Sequence, residues 1–284
     1  MQRVALIGAN GMLAAAIRKL APADYAIQTY DLPDFDLTDK TQVLALRANA
    51  PDIIINCAAF TNVDGCETQQ ELAMQVNGAG PGLLAELARQ TGAVLLHIST
   101  DFVFDGHKTS PYLEDDLPNP LSVYGKSKLA GEQQIQQSDL DKYFIIRTSW
   151  LYGAGGSNFV ETIIRLAKER SELKIVADQR GTPTWTEDLA RAIFALLRGD
   201  RYGLYHYSND GECSWHEFAC EIINQVRFVE ALQVKEVQQI PTEGYPLPAV
   251  RPKYSVLSKE KIKQATGLAI PFWQLSLKTY LTKR

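Results

Sequence analysis

The chain has 284 residues, of which 45% are hydrophobic and 22% are charged, and both values are ordinary for a globular protein. Its formal net charge of −4, with no cluster of lysines and arginines, argues against a nucleic-acid partner, because duplex binding usually needs a basic face. The length suits one large α/β domain, or a domain with a modest appendage, that needs neither disulfides nor metals for its stability.

The cysteine spacing and the apolar stretches indicate in which cellular compartment the protein is found. The four cysteines, Cys57, Cys66, Cys213 and Cys220, form no CxxC pair, which indicates free thiols in a reducing environment. A glycine-rich turn interrupts the first apolar run after Ile7, so the N-terminus does not resemble a signal peptide. The other apolar stretches are too short to span a bilayer. We therefore expect a cytoplasmic protein without a membrane segment.

Short β-branched runs alternate with helical patterns through the first half of the chain. In chain order the patterns predict a strand over 3–7, a helix over 12–20, a strand over 26–30, a helix over 41–49, a strand over 53–56, a long helix ending near Gln90, a strand over 93–99, a helix over 123–137 and a strand over 143–148. Such alternation predicts an α/β fold whose parallel sheet has helices on both faces. Right-handed crossovers then give the doubly wound Rossmann arrangement.

The alternation becomes less regular after Ser149. A glycine-rich segment precedes a predicted helix over 158–170, and a helix over 188–197 with a strand over 204–207 indicates a return to the sheet. From Ser214 onward, two or three helices surround a proline-rich loop over 241–252. The predicted organisation is a Rossmann domain over 1–148, with a returning segment over about 178–207, and a smaller C-terminal substrate-binding domain over 149–177 and 208–284.

The first predicted strand leads directly into a glycine-rich turn. Its sequence is Gly8-Ala9-Asn10-Gly11-Met12-Leu13-Ala14. Glycines permit a tight turn and a close approach to a pyrophosphate, and the helix that follows offers free amides and a positive dipole end. The turn therefore predicts a dinucleotide site, with Gly8, Asn10, Gly11, Met12 and Leu13 as cofactor-binding residues.

Asp31 ends the second predicted strand, about 20 residues after the turn, where an acid hydrogen-bonds an adenosine ribose. That interpretation favours NADH, whereas a turn cap is the alternative interpretation of the same residue. Arg18 and Arg47 are available to a 2′-phosphate, so NADPH stays open as the cofactor.

A catalytic set follows the fourth predicted strand. Thr100 lies just beyond that strand, where a parallel sheet faces its ligand crevice, and Tyr124 and Lys128 lie four residues apart on one helical face. The set suffices for carbonyl reduction with a nicotinamide hydride: Tyr124 donates the proton, the Lys128 ammonium lowers the tyrosine pKa, and Thr100 donates to the oxyanion. The alternatives are a turn-forming hydroxyl for Thr100 and a solvated helix lysine for Lys128.

Motifs along nearly the whole chain resemble those of the dTDP-4-dehydrorhamnose reductases, a family of extended short-chain dehydrogenases/reductases. The matching motifs lie at 58–64, 76–77, 99–106, 124–128, 147–153, 181–185 and 251–255. The resemblance implies reduction of the 4-keto group of a dTDP-linked 4-keto-6-deoxy sugar with NADPH or NADH, in polysaccharide biosynthesis. It also implies that Thr100, Tyr124 and Lys128 form the catalytic triad.

The resemblance implies further contacts. The cofactor would meet Asp36, Leu37, Cys57, Ala58, Ala59, Thr61 and Asn77, together with Tyr124 and Lys128. The substrate would meet Val63, Thr100, Asp101, Phe102, Trp150 and Arg251. Core packing of Trp150 and surface pairing of Arg251 are the alternatives, because large aromatics are often simply buried and arginines are commonly exposed.

The chain departs from the family pattern at three places. Phe102 stands where the family usually has Tyr, and Tyr254 where it usually has Asn. Alanines occupy 14–16 on the first helix, where some members carry a carboxylate for a magnesium ion at a dimer contact. We therefore predict neither that metal nor that dimer, and expect a monomer or a weak homodimer.

Three other functions are weighed. Phe102 argues against a sugar-nucleotide dehydratase, whose motif carries Glu after Thr-Asp. A reductase or epimerase acting on another nucleotide sugar is an alternative that residues alone do not exclude. A non-catalytic NADP-binding regulatory subunit of the methionine adenosyltransferase type is another, although the complete triad argues against it.

Overall fold

A computed structural model describes all residues from Met1 to Arg284. The first half contains β1 (Gln2–Ile7), α1 (Met12–Leu20), β2 (Tyr25–Tyr30), α2 (Lys40–Ala45), β3 (Ile53–Asn56), α3 (Val63–Thr68), α4 (Gln70–Ala73), α5 (Gly80–Thr91), β4 (Val94–Thr100), α6 (Val123–Gln136) and β5 (Tyr143–Thr148). The second half contains β6 (Leu151–Tyr152), α7 (Phe159–Glu169), β7 (Glu172–Val176), β8 (Arg180–Gly181), β9 (Thr184–Trp185), α8 (Thr186–Leu197), β10 (Gly203–His206), β11 (Cys213–Ser214), α9 (Trp215–Val226), β12 (Glu236–Ile240), α10 (Glu260–Thr266) and α11 (Trp273–Lys283).

Six strands form one parallel sheet in the order β10-β5-β4-β3-β1-β2. The chain reverses its direction of winding at β1, which lies between β2 and β3. A crevice opens at the carboxyl ends of strands where the winding reverses, so the residues that follow β1 and β3 face a ligand site. The doubly wound α/β fold predicted from the sequence is confirmed.

Strand β1 shows how the sheet is covered on both sides. Successive side chains point to opposite faces. Val4 and Leu6 therefore pack into a core with residues of α1 and α8, whereas Ala5 and Ile7 pack into another with residues of α5. Burial on both faces explains why this strand is a continuous apolar run rather than an alternating one.

A third core lies outside the large sheet. Residues of α7, α9 and α11 form it, with Phe218 at 0% exposure and Trp273 at 4% among its members. Helix α10 is an exception in this part of the chain, because its Ile262 packs into the core beneath α8 and β10. The domain boundaries at 148 and 178–207 stay a prediction. Helix α10 lies in the predicted substrate domain by sequence, but it contacts the core of the large sheet.

Two elements differ from the sequence expectation. The long helix predicted to end near Gln90 is broken into α3, α4, a π-helical segment at Met74–Ala79 and α5, because Gln69 leaves the helical conformation with φ −120° and ψ 50°. Strands β7 and β12, which pair in parallel, were not predicted. Both are short and half polar, so neither shows a continuous apolar run, and alternation is limited to the first four residues of β7.

None of the eleven helices combines the length and the apolar character that crossing a lipid bilayer requires.

Candidate active site

The glycine-rich turn after β1 is shaped by one close backbone approach. Gly8 has φ +77°, and a Cβ atom at this position would lie 2.4 Å from the amide nitrogen of Ala58. Only glycine therefore lets the turn pass beneath the loop after β3. Gly11 is the N-cap of α1 and offers no side-chain oxygen, so no side chain caps the first amides of that helix. Uncapped amides at a helix N-terminus can bind an anion.

Asp31 uses both carboxylate oxygens within the protein. Oδ2 accepts a hydrogen bond of 2.7 Å from the backbone N–H of Asn10, and Oδ1 accepts one of 2.8 Å from that of Leu32. The carboxylate therefore caps the phosphate turn, which agrees with the turn-cap interpretation of Asp31. A cavity of about 530 Å³ lies beside it, and neither Arg18 nor Arg47 lines this cavity.

The Asn77 side chain anchors the loop after β3 through hydrogen bonds. Its Oδ1 accepts from the Phe60 N–H at 2.8 Å, and its Nδ2 donates to the Phe60 carbonyl at 3.1 Å and to Ser127 Oγ at 3.0 Å. The Asn77 side chain is fully buried. The Asn77 side chain thus joins this loop to α6, and the expectation that Asn77 lines the cofactor cleft stays a prediction.

The other expected cofactor residues occupy different surroundings. Leu37 is only 6% exposed and packs in the core that contains α5, while the Asp36 carboxylate accepts from both the N–H and the hydroxyl of Thr38 at 2.8 Å. Neither side chain lines the cavity beside Asp31, and their contact with the cofactor stays a prediction. Cys57 follows β3, and burial raises the pKa of its thiol to about 12, so it stays protonated. Ala58 and Ala59 are partly buried and Thr61 is exposed, all three on the loop that Asn77 supports.

Thr100 and Tyr124 come together because α6 approaches the end of β4 closely. Thr100 is the last residue of β4, and Tyr124 lies in the first turn of α6. A Cβ atom at Gly125 would lie 2.2 Å from the carbonyl oxygen of Phe102, so only glycine permits this approach. The Thr100 hydroxyl donates to Asp101 Oδ1 at 3.1 Å and accepts from the Phe102 N–H at 3.2 Å.

The surroundings of Tyr124 raise the pKa of its phenol and so favour the protonated form. Burial raises the pKa of its phenol, the Asp101 carboxylate raises it further, and the Thr100 hydroxyl acts in the opposite direction. This differs from the expectation that Lys128 lowers the Tyr124 pKa, because burial is the largest effect and Lys128 is not among the groups that shift this pKa. The edge of the Phe102 ring packs on the Tyr124 ring, with centroids 5.5 Å apart.

Lys128 is not a solvated helix lysine. It is 2% exposed, its Nζ donates to the Ile98 carbonyl at 2.6 Å, and the same Nζ lies 3.4 Å from Nε2 of His97. Burial lowers the pKa of Lys128 to about 8. Lys126, two residues earlier, is exposed.

A buried ion pair beneath the site was not found by sequence reasoning. Arg147 on β5 donates from Nε to Glu132 Oε1 at 2.9 Å and from Nη2 to Oε2 at 2.7 Å. The Ser99 hydroxyl donates to the same Glu132 oxygen at 2.5 Å. These bonds join β4, β5 and α6 next to Thr100. Arg147 begins one of the matching motifs, but nothing in the spacing of Glu132 distinguishes it from a surface glutamate.

Asp101 has an acceptor oxygen without a partner. The residue is 2% exposed, and its Oδ2 makes no hydrogen bond. Burial raises its pKa to about 6, although the nearby Ser255 and Thr100 hydroxyls act in the opposite direction. Because buried polar atoms nearly always have partners, this oxygen next to Thr100 and Tyr124 is suited to accept a ligand hydroxyl.

Trp150 and Trp215 form a stacked pair, with ring centroids 3.4 Å apart and an interplanar angle of 8°. Trp150 has φ +46°, an uncommon conformation for a residue other than glycine. A Cβ atom at Gly181 would lie 2.6 Å from the Trp150 indole, so Gly181 makes room for it. Trp150 packs against the third core and is partly exposed, while Trp215, which the motifs did not single out, lines a neighbouring cavity.

Arg251 anchors the proline-rich loop to α3. Its Nη2 donates to Asp64 Oδ2 at 2.7 Å and its Nη1 to Oδ1 at 3.1 Å, next to Val63, the first residue of α3. Arg251 thus pairs with Asp64, and it also lines a cavity of about 950 Å³. Aromatic and basic side chains of that cavity are Phe159, Trp215, Tyr245, Arg170, Lys174, Arg251 and Lys253.

Two further points concern the departures from the family pattern. The hydroxyl of Tyr254 donates to Glu212 Oε2 at 3.2 Å, so this side chain is directed to a carboxylate that also pairs with Arg180. No three His, Cys, Asp or Glu side chains converge anywhere in the chain in a way that could hold a metal ion.

Together, the doubly wound sheet, the uncapped helix after the glycine turn and the Thr100–Tyr124–Lys128 set define a protein of the extended short-chain dehydrogenase/reductase class. The sequence profile described as RmlD substrate binding domain matches residues 1–284, and the chain belongs to this family. The resemblance predicted from the motifs is confirmed.

Named relatives match over the full length. The chain is 42% identical to the spore coat polysaccharide biosynthesis protein SpsK of Bacillus subtilis, covering 100% of this chain and 98% of that protein. It is 40% identical to a dTDP-4-dehydrorhamnose reductase of Sinorhizobium fredii, covering 96% and 95%. A crystal structure of dTDP-4-dehydrorhamnose reductase from Bacillus anthracis in complex with NADP is 41% identical, with a TM-score of 0.95 and coverage of 100% and 99%.

Proposed function

We propose that the chain reduces the 4-keto group of dTDP-4-dehydro-6-deoxy-L-mannose to give dTDP-L-rhamnose, with NADPH or NADH as the hydride donor. The observation that carries the proposal is the close approach of α6, which bears Tyr124, to the end of β4, which bears Thr100. The chain is also 40% and 41% identical to two proteins named dTDP-4-dehydrorhamnose reductase. The product belongs to the synthesis of cell-surface polysaccharide.

Three features of the chain fit a dinucleotide. Gly8 permits a close backbone approach, the amides at the start of α1 have no side-chain cap, and a cavity of about 530 Å³ adjoins Asp31. The Bacillus anthracis relative was solved with NADP, which supports NADPH. Asp31 supports NADH, because a carboxylate beside the adenosine ribose disfavours a 2′-phosphate.

The catalytic roles follow from the surroundings of each side chain. A bound reduced nicotinamide supplies the hydride. Tyr124 retains its phenolic proton and donates it to the keto oxygen, while the Thr100 hydroxyl turns from Asp101 to stabilise the oxygen as its charge develops. Lys128 provides the positive charge that favours the phenolate after the transfer.

Substrate binding divides between two places. The free Oδ2 of Asp101 accepts a hydroxyl of the sugar, and Trp150 packs against the ring. The nucleoside diphosphate occupies the 950 Å³ cavity, where Arg251 and Lys253 supply positive charge and Trp215 an aromatic surface. Phe102 packs against Tyr124 and leaves this side of the pocket apolar.

The proposal also includes the domain boundaries, the cellular compartment and the oligomeric state. We place the Rossmann domain at 1–148 with a returning segment at about 178–207, and the substrate domain in the rest of the chain. Four unpaired thiols fit a reducing cytoplasm as the site of action. The working unit is a monomer or a weak homodimer.

The test follows the loss of NADPH and NADH absorbance with dTDP-4-keto-6-deoxy-L-mannose, for the wild type and for Tyr124→Phe. We expect consumption by the wild type and a rate at least about a hundredfold lower for the variant, because the acid is lost. Tyr202→Phe is a matched control, since Tyr202 packs on Phe144 away from the site.

Other results would redirect the assignment. Consumption with a different nucleotide sugar only would favour another reductase or an epimerase. Tight NADP binding without turnover on any keto sugar would favour a regulatory subunit. An unchanged rate in Tyr124→Phe would remove Tyr124 as the acid.

A further inference from the structure

Asn56 and His97 form a buried polar link that none of the expected site residues explains. They are register partners on the neighbouring strands β3 and β4, and both side chains are fully buried. Asn56 Nδ2 lies 3.0 Å from His97 Nδ1, and His97 Nε2 lies 3.4 Å from Lys128 Nζ. Asn56 Oδ1 accepts from the Ala58 N–H at 3.0 Å. The link therefore runs from the loop after β3 to Lys128.

The hydrogen bonds determine where the protons of this link lie. Because Oδ1 of Asn56 accepts from Ala58, the amide group of Asn56 must present Nδ2 to His97. An amide nitrogen only donates, so Nδ1 of His97 is the acceptor. Burial keeps His97 neutral, since it lowers the pKa of the imidazole well below its usual value. The single proton of the ring therefore lies on Nε2, directed at Lys128.

An ammonium group has no lone pair with which to accept that proton, whereas a neutral amine has one. The neutral amine can donate to the Ile98 carbonyl at 2.6 Å and accept from His97 at the same time. The other titratable groups that face Lys128 are Glu132 on its own helix and Cys57 on the loop after β3. Glu132 is paired with Arg147, and the Cys57 thiol is protonated.

We propose that His97 is a positioning residue whose Nε2–H stabilises the neutral amine of Lys128, the form left when the Lys128 ammonium gives a proton to the Tyr124 phenolate that remains after Tyr124 has protonated the keto oxygen. Asn56 is the orienting partner, because it fixes the tautomer of His97. The catalytic meaning of this link rests on the proposed reductase function, but the proton positions do not depend on it.

The direct test is two-bond ¹⁵N–¹H spectroscopy of the imidazoles in the wild-type protein, which has only four histidines. We expect His97 as the Nε2–H tautomer, with a proton signal that shifts as Lys128 titrates near about pH 8. The shift should be absent in Lys128→Met. An Nδ1–H tautomer, or a signal that stays constant from about pH 6 to about pH 10, would overturn the proposal.

The second test compares His97→Leu with His97→Gln, which keeps an amide donor. In His97→Leu the alkaline midpoint of kcat against pH should rise by about one unit, because a hydrogen bond to the neutral amine is lost. His97→Gln should restore most of the wild-type midpoint. His107→Gln is the control, since that side chain is 81% exposed.

An unchanged midpoint in His97→Leu would also overturn the proposal. If His97→Leu does not fold, the His97 tautomer measured in the wild-type protein decides whether the proposal stands. Because the spectra need no substrate, absence of reductase activity would count against the proposed function and leave the test of His97 intact.

Discussion

The Arg147 guanidinium and the Glu132 carboxylate form a bidentate ion pair, with N–O distances of 2.9 and 2.7 Å, at 3% and 1% side-chain exposure. The pair lies between β5 and α6, and Ser99 of β4 joins it. Two of these elements carry the proposed catalytic residues: β4 carries Thr100, and α6 carries Tyr124 and Lys128. The relative position of the triad therefore depends on a charge pair that makes no contact with solvent.

Removing one partner of this pair should destabilise the fold strongly. In Glu132→Gln the buried Arg147 charge loses its counterion, and breaking a buried pair in this way costs about 3–5 kcal/mol. The free energy of unfolding from urea titration measures the loss. Glu169→Gln breaks the exposed pair with Arg165 and should cost less than about 0.5 kcal/mol. Similar losses of unfolding free energy in the two variants would show that the buried pair stabilises the fold no more than the exposed pair does.

Asp101 should make stability depend on pH. Its pKa is about 6 in the folded chain, above the 3.8 of the unfolded residue, so the folded state binds the extra proton between these values. Stability contributed by the neutral acid is then complete below about pH 4 and is lost as the pH rises through about 6. Asp101→Asn removes this term.

We expect the wild type to lose unfolding free energy relative to Asp101→Asn by about 3 kcal/mol between about pH 4 and about pH 7, since one pKa unit corresponds to about 1.4 kcal/mol. Urea titrations at several pH values measure the difference. A constant difference across this range would mean that Asp101 is ionised at low pH as well. Loss of substrate affinity in the same variant would support its role toward the sugar.

Asp31→Ala separates the two roles of the Asp31 carboxylate. The Asn10 amide loses its cap, which should weaken both cofactors by about fivefold, since a lost cap costs about 1 kcal/mol. NADPH should be weakened less than NADH, because the variant also relieves repulsion of a 2′-phosphate. Fluorescence titration with each cofactor gives the ratio of the two dissociation constants. Equal weakening would indicate that Asp31 acts only as a cap.

Gly181→Ala should displace the Trp150 indole, because the added methyl group would lie 2.6 Å from it. We expect KM for the sugar nucleotide to rise at least about tenfold and the tryptophan fluorescence to change, as the stack on Trp215 is disturbed. Gly199→Ala, in an exposed turn with more space, is the control. An unchanged KM would show that Trp150 does not contact the sugar.

Much of the site could be recognised from local patterns. The turn at 8–14 and the spacing of Tyr124 and Lys128 depend on residues that are neighbours in the chain, so a sequence displays them directly. The discontinuity at Gln69 and the strand pair β7–β12 were missed, because their cause is packing against elements far along the chain. Asn77 was assigned to the cleft by resemblance, and only the structure shows that its side chain also bonds the loop after β3 and Ser127 of α6.

The sequence by itself determined the doubly wound fold and the family, and it led to the proposed phosphate turn and catalytic set, since periodicity and short motifs encode them. Only the tertiary structure decided that Asp31 caps the turn, that Glu132 pairs with Arg147, and that burial raises the pKa of Tyr124 and lowers that of Lys128. The physical reason is that hydrogen-bond partners and desolvation depend on which distant residues surround a group. His97 illustrates this, because its proton is positioned by Asn56 of another strand and directed at a lysine of a helix 31 residues away in the chain.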